Sequence, residues 1–172
     1  MFKELYQADL QRYGGSISSY LKKFHYYLRK CATTKNPLLK LYYRIKFSIL
    51  KEKHGIEIYY GTNIGKGLYI GHPYGITINP NVVIGENCNI HKGVTIGQEN
   101  RGLRKGVPTI GNNVWIGINS TIVGGITIGD DVLIAPNTFV NCDIPAHSVV
   151  FGNPCIIKHK DFATESYINH TI

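Results

Sequence analysis

The sequence predicts a mainly β fold, a parallel β-solenoid preceded by a short α-helical region. The first observation is a period. From Ile58 an aliphatic residue returns every sixth position through Ile64 and Ile70, then Ile78, Ile84, Ile90 and Ile96, then Ile110, Ile116, Ile122, Ile128, Ile134 and Val140. Neither a 3.6-residue helix nor a two-residue strand repeat produces that spacing. The second is glycine directly after Ile64, Ile84, Ile96, Ile116 and Ile128. The third is a change of pattern near residue 55, before which the apolar residues fall in helical stripes. A short unit repeated this often buries its aliphatic residue only by stacking on its neighbours, which is the logic of a solenoid.

Helices are expected from Phe2 to Tyr13, from Ser18 to about Cys31 and from Leu38 to Lys53, separated by Gly14-Gly15-Ser16 and by the polar turn Thr33-Thr34-Lys35-Asn36-Pro37. Tyr20, Leu21, Phe24, Tyr27 and Leu28, then Leu38, Leu39, Tyr42, Ile45 and Ile49, make their apolar stripes. Each hexad that follows reads as a short extended piece and a tight bend, with glycine or asparagine permitting the bend. The position four after a mark is mostly small or β-branched, as in Thr62, Val82, Cys88, Val94, Val114, Ser120, Val132 and Thr138, and suits a second inward site in a narrow tube. The expected organisation is a basic helical region over 1–55, a β-helix over 56–150 and a C-terminal tail over 151–172.

The rhythm breaks twice, with a step of eight from Ile70 to Ile78 and of fourteen from Ile96 to Ile110, so each break adds two residues to whole hexads. The first bulge holds Gly71-His72-Pro73-Tyr74-Gly75. The second is a polar stretch from Gln98 to Pro108 with Arg101, Arg104 and Lys105. Irregular excursions from a regular scaffold are where function collects.

Composition narrows the partners. Cys31, Cys88, Cys142 and Cys155 show no paired ligand spacing, which favours a reduced, cytoplasmic setting over a disulfide framework. No three-histidine set is visible, so no metal is expected. The N-terminus has no long uncharged apolar run, so neither a signal peptide nor a membrane span is expected. Residues 1–54 hold twelve Lys and Arg against three acids, whereas residues 55–172 hold seven against eight. The basic helices therefore read either as packed helices with a solvated face or as a contact with an anionic membrane surface. No nucleic-acid motif accompanies the charge, and nucleic acid is not expected.

The hexads, together with Asp9, Gly65-Lys66-Gly67, Gly71-His72, Gly75-Ile76, Val94-Thr95-Ile96-Gly97, Pro108 and Gly152-Asn153-Pro154, resemble the serine acetyltransferase branch of the hexapeptide-repeat acyltransferases over nearly the whole chain. The resemblance implies a left-handed parallel β-helix, against the usual right-handed crossover. It also implies a homotrimer with acetyl-CoA in a groove between subunits. It makes His72 the general base and Glu57, fifteen residues upstream where the family has aspartate, its carboxylate partner. Such a pair lets an imidazole take the proton of an attacking hydroxyl while the carboxylate fixes the tautomer and stabilises the imidazolium. Asp9 resembles a substrate-contacting aspartate. Gly97, Gly117, Ile118, Ala135 and Pro136 are placed along the pantetheine arm, and Lys158 and Lys160 near the nucleotide phosphates.

The departures bear on the acceptor. Where the family has an arginine-histidine-proline triplet this chain has Gly106-Val107-Pro108, and the aspartate before the base is Gly71. Losing the arginine removes a charge-assisted contact of about 2 kcal/mol to an amino-acid carboxylate, unless Arg101, Arg104 or Lys105 replaces it. The helical region is also shorter than in typical serine acetyltransferases. The chain thus resembles the acetyltransferases of capsular or exopolysaccharide synthesis, which implies a sugar hydroxyl as acceptor and work at the inner face of the membrane. Two alternatives stay open. One is a serine O-acetyltransferase of cysteine biosynthesis, since Asn169-His170-Thr171-Ile172 resembles the tail that docks into cysteine synthase through its last isoleucine. The other is a catalytically silent trimeric scaffold. His91 reads as a structural or surface residue with the groove as its alternative, His147 as structural, Trp115 as packed outside a face or against a neighbouring subunit, and His25, His54, His159 and His170 as outside the solenoid without visible partners.

Overall fold

The computed structural model describes all 172 residues. Three helices come first: α1 (Phe2–Gln11), α2 (Ser19–Thr33) and α3 (Pro37–Glu52). The Ser18 side chain caps α2 by accepting from Leu21 N, and Asn36 caps α3 by accepting from Leu38 N and Leu39 N, with proline at the first helical position. Helix α1 stops at Gln11, short of the expected Tyr13, because a tight turn from Leu10 O to Tyr13 N carries Tyr13 off the helix and toward the first coil.

Fifteen short strands follow: β1 (Glu57–Ile58), β2 (Asn63–Ile64), β3 (Tyr69–Gly71), β4 (Thr77–Ile78), β5 (Val83–Ile84), β6 (Asn89–His91), β7 (Thr95–Gly97), β8 (Thr109–Ile110), β9 (Val114–Ile116), β10 (Thr121–Val123), β11 (Thr127–Ile128), β12 (Val132–Ile134), β13 (Phe139–Val140), β14 (Ser148–Phe151) and β15 (Ile156–His159). They form a left-handed parallel β-helix with three faces. The first face stacks β1-β4-β7-β10-β13, the second β2-β5-β8-β11, and the third β3-β6-β9-β12-β14, to which β15 adds antiparallel as a closing edge.

The hexad marks become columns. Ile58, Ile78, Ile96, Ile122 and Val140 line the first face, and Ile70, Ile90, Ile116, Ile134 and Val150 the third, each at most 3% exposed. Burial of each such side chain is worth about 1.5–3 kcal/mol. A plain coil takes 18 residues, as from Thr77 to Thr95, and the first bulge makes its coil 20, as from Glu57 to Thr77. The coil from Thr95 to Thr121 takes 26. The second break is therefore a single eight-residue insertion between β7 and β8, not two residues added to two hexads, because Ile96 and Ile110 are successive inward positions on neighbouring faces.

The bends are made by glycine and asparagine, as expected: Gly67 and Gly93 share positive φ with Asn87, Asn113, Asn119, Asp131 and Asn137, a region that asparagine and aspartate tolerate. The glycine after a mark answers instead to close approach between coils: a Cβ on Gly65 would lie 2.6 Å from Gly85 O, and one on Gly85 2.6 Å from the Gly111 carbonyl carbon.

The helices close the open lower end of the tube, where Leu21, Phe24, Leu28, Cys31 and Phe47 join Ile56, Ile58, Leu68 and Ile70 in one core. The C-terminal tail then runs back down the third face. Asp131 accepts Ala163 N, Thr164 N and Thr164 Oγ1, Asn89 Nδ2 donates to Tyr167 O, Arg12 Nε donates to Asn169 O, and Ile172 N donates to Asn87 Oδ1. No helix is long and apolar enough to cross a membrane.

Candidate active site

The corner between the third and first faces carries the first bulge. His72 leaves β3 with φ 53°, and its side chain is exposed. The bulge is stacked above and below by backbone bonds, Gly75 N to His54 O and Gly93 N to Tyr74 O. His54, expected to have no partner, is its prop: Nδ1 faces Pro73 O at 3.0 Å, and the ring stacks between Tyr20 at 3.7 Å and Tyr74 at 4.5 Å. Glu57 lies at the same corner one coil below, in register with Thr77. Both it and His72 are exposed, and their side chains make no hydrogen bond or ion pair with each other.

Gly117, Ile118, Ala135 and Pro136 continue this corner through the next coils. Gly117 N donates to Ile134 O, and a Cβ on Gly117 would lie 2.6 Å from Pro136 N, so the chain stays bare backbone here. Gly97 ends β7 on the opposite edge of the first face. From that edge rises the excursion, a small hairpin closed by Glu99 and Gly106 that exposes Arg101, Arg104 and Lys105. Arg104 donates to Asn141 O and so leans along the solenoid. Lys158 and Lys160 are exposed on and after β15, at the far end. Within one chain the three groups do not converge.

Asp9 is placed elsewhere than expected. It is fully buried, with Arg29 gripping both oxygens at 2.7 and 2.8 Å, His25 Nδ1 at 3.2 Å and Leu68 N at 2.9 Å. Burial pushes its carboxyl up, but His25 and Arg29 outweigh that and hold it below the usual carboxylate range. Arg29 also donates to Ile64 O and Gly65 O. This carboxylate clamps α1 and α2 onto the first coil and has no oxygen turned toward a cleft. His25, expected outside any partnership, is buried between Asp9 and the Tyr13 hydroxyl, 2.9 Å from Nε2.

A cavity of about 260 Å³ lies between the third face, the tail and the α1–α2 hinge. Tyr13, Tyr69, His91, Trp115, Tyr167 and His170 are among its walls. His91, read from sequence as a structural or surface residue, follows Ile90 on β6 and pairs in register with Gly71. Its ring lies over Gly71, filling the space a Cβ there would need, with Nε2 2.7 Å from that point. Nδ1 donates to Ile116 O at 2.8 Å, which favours the charged form, but burial outweighs it and pushes the imidazole pKa down. The ring is therefore held neutral with Nε2 as an acceptor. Only a residue pairing one coil away reveals this, and no motif marks it. No three His, Cys, Asp or Glu side chains are grouped to hold a metal ion.

Comparison with known proteins fits this architecture. Residues 108–142 match the family model described as bacterial transferase hexapeptide (six repeats). A serine acetyltransferase of Helicobacter pylori is 39% identical over 107 residues, which cover 62% of this chain and 63% of that protein, less than two thirds of its length. A serine acetyltransferase of Brucella abortus in complex with coenzyme A superposes with a TM-score of 0.78 at 24% identity, over 92% of this chain and 68% of the other. Isoform 3 of the Entamoeba histolytica serine acetyltransferase, in complex with cysteine, gives 0.73 at 27%, over 96% and 64%. With its stacked hexads, glycine-lined corner and helical cap, the chain is similar to hexapeptide-repeat transferases, and the relatives it matches are named serine acetyltransferases.

Proposed function

We propose that this protein is an acetyl-CoA-dependent O-acetyltransferase with His72 as general base. The observation that carries the reading is an exposed histidine on a braced bulge, at the foot of a bare backbone corner open to an extended donor. The imidazole takes the acceptor hydroxyl's proton as the oxygen attacks the thioester carbonyl. The C–S bond then breaks, and the imidazolium returns the proton to the departing thiolate, giving an acetyl ester and free thiol. Glu57, one coil below, steadies the imidazolium once substrate closes the gap between them.

Homotrimeric assembly supplies the rest of the site. A neighbouring copy would set its excursion, with Arg101, Arg104, Lys105 and Gly97, against this copy's His72 corner, and Lys158 and Lys160 are free to meet nucleotide phosphates. The coenzyme A complex of a protein with this fold supports acetyl-CoA as the donor.

For the acceptor, the relatives' name favours serine in cysteine biosynthesis. Gly71, Gly106, Val107 and the buried Asp9 favour a hydroxyl on a neutral sugar or polysaccharide precursor instead, unless Arg101, Arg104 or Lys105 of a neighbouring copy takes the place of the family's arginine. Thiol release from acetyl-CoA, with L-serine compared against neutral saccharides and repeated with His72→Ala, decides between them. Release that survives His72→Ala, or none with any acceptor, sinks the catalytic reading and leaves a trimeric scaffold.

Two further contacts are proposed. Leu38, Tyr42, Ile45 and Ile49 are 49–77% exposed along α3 beside Lys40, Arg44 and Lys46, which suits an anionic membrane surface at the cytoplasmic face. Co-sedimentation indifferent to anionic lipid would leave that stripe to a second copy. Docking of Ile172 into cysteine synthase would first have to free its amide from Asn87, and pull-down with and without Ile172 tests it.

A further inference from the structure

The geometry points to the cavity under the C-terminal tail as a binding site for a neutral, polyhydroxylated ring, a sugar or sugar-like acceptor, with His91 as the residue that selects it. This deepens the proposed function and rests on acetyl transfer by His72.

The walls are aromatic. Tyr13 and Tyr69 lie 4.5 Å apart between ring centres, His91 and Trp115 4.6 Å, and Trp115 and Tyr167 5.2 Å. Such surfaces pack against the C–H faces of a ring while their polar tips remain for hydroxyls. The Tyr69 and Tyr167 hydroxyls and the Trp115 indole N–H have no partner within the chain, and His91 Nε2 adds an acceptor. The one arginine in the wall is already engaged. Arg12 donates from Nε to Asn169 O, from Nη1 to Gly67 O and from Nη2 to Asn89 Oδ1, and it is 3% exposed. No carboxylate lines the cavity. A free amino acid would bring an ammonium that no carboxylate meets and a carboxylate whose one counter-charge, Arg12, has Nε, Nη1 and Nη2 turned to other acceptors, whereas a hydroxylated ring needs only what is present.

The location links the cavity to chemistry. The His91 ring lies over Gly71, the residue before His72, so a ring seated against His91 is one residue along the chain from the base, which itself stands outside the cavity wall. Gly71 is also the position at which the resemblance places an aspartate for an amino group. Here the missing side chain is what makes room for the imidazole, so one substitution both removes a charged handle and admits a neutral acceptor.

Trp115 is the only tryptophan, so its fluorescence reads the cavity directly. The full-length protein is titrated with methyl glucoside, methyl galactoside, N-acetylglucosamine and L-serine, and the same compounds are offered with acetyl-CoA in the thiol-release assay. A saturable fluorescence change with at least one saccharide and none with L-serine is expected. His91→Phe should weaken that binding roughly 3- to 10-fold, the scale of one lost hydrogen bond. Tyr167→Ala, on the exposed tail and clear of the solenoid core, should weaken it independently. His72→Ala should abolish thiol release while a saturable fluorescence change persists. A response to L-serine alone overturns the proposal, as does saccharide-dependent thiol release that neither His91→Phe nor Tyr167→Ala alters. Saccharide binding at Trp115 with no thiol release from any acceptor upholds the cavity and overturns the acetyltransferase reading.

Discussion

Arg29 holds Asp9 in a two-pronged grip, Nε to one oxygen at 2.7 Å and Nη2 to the other at 2.8 Å, with both side chains buried. The pair joins two helices to each other, and Arg29 joins them to the carbonyls of Ile64 and Gly65. Removing one partner of a buried pair strands the other. Asp9→Ala should therefore cost about 3–5 kcal/mol, read as a lowered denaturation midpoint. Replacing Asp9 and Arg29 together by apolar residues should recover part of that loss. A single mutant as stable as the parent would show that the helical cap is held by its apolar contacts alone.

The same carboxylate sets an acid limit. Its folded pKa lies below the unfolded value near ~3.9, so its contribution is fully present above that value and fades as the pH falls through the folded one. Acid titration followed by circular dichroism should show the parent unfolding in that low window. Asp9→Asn, already destabilised at neutral pH, should lose less on acidification. An identical pH dependence in both proteins would assign the acid transition to other groups.

Asp131 does for the tail what Asp9 does for the cap. It accepts two backbone amides and the Thr164 hydroxyl and pairs with His147 Nδ1 at 2.9 Å. Although partial burial opposes it, this set of donors holds the carboxyl below its usual range, so the tail should stay docked at neutral pH and loosen only as acid protonates Asp131. Thr164→Val removes the 2.7 Å hydroxyl bond and should expose the chain after Lys158 and Lys160 to trypsin. Cleavage no faster than in the parent would mean that Asn89, Arg12 and Asn87 hold the tail without this anchor.

The solenoid was legible because its cause is local. Outside the two breaks the inward marks return every sixth residue, and the helix ends are written in Ser18, Asn36 and Pro37. What the sequence hid depends on partners one coil or more away. Asp9 looks like any helical carboxylate until Arg29 and Leu68 N are brought against it. His91 follows an ordinary mark; its ring is fixed by Ile116 above and Gly71 below, and only the burial that this stacking produces keeps it neutral. Residues 160–172 have no period at all, since the tail is held by side chains on the solenoid face and not by a pattern of its own. The second break misled for a related reason: counting hexads cannot say which face a mark belongs to, whereas the pairing of β7 with β10 and of β8 with β5 does.

The column of glycines at the corner between the second and third faces gives the sharpest stability test. Gly65, Gly85 and Gly111 follow their marks in successive coils, and each backbone lies where a Cβ of the coil before it would go. None has a positive φ, so alanine would suit the local backbone and the cost must come from crowding between coils. Gly85→Ala should lower stability by about 1–3 kcal/mol, the usual cost of overpacking. Gly102, at φ 69° on the tip of the excursion with nothing near its Cβ position, is the control: alanine there meets only local backbone strain and should cost about 1 kcal/mol. Chemical denaturation of the two variants separates the causes. If Gly85→Ala proves the milder of the two, the coils tolerate a wider spacing, and the glycine after each mark is not required by stacking.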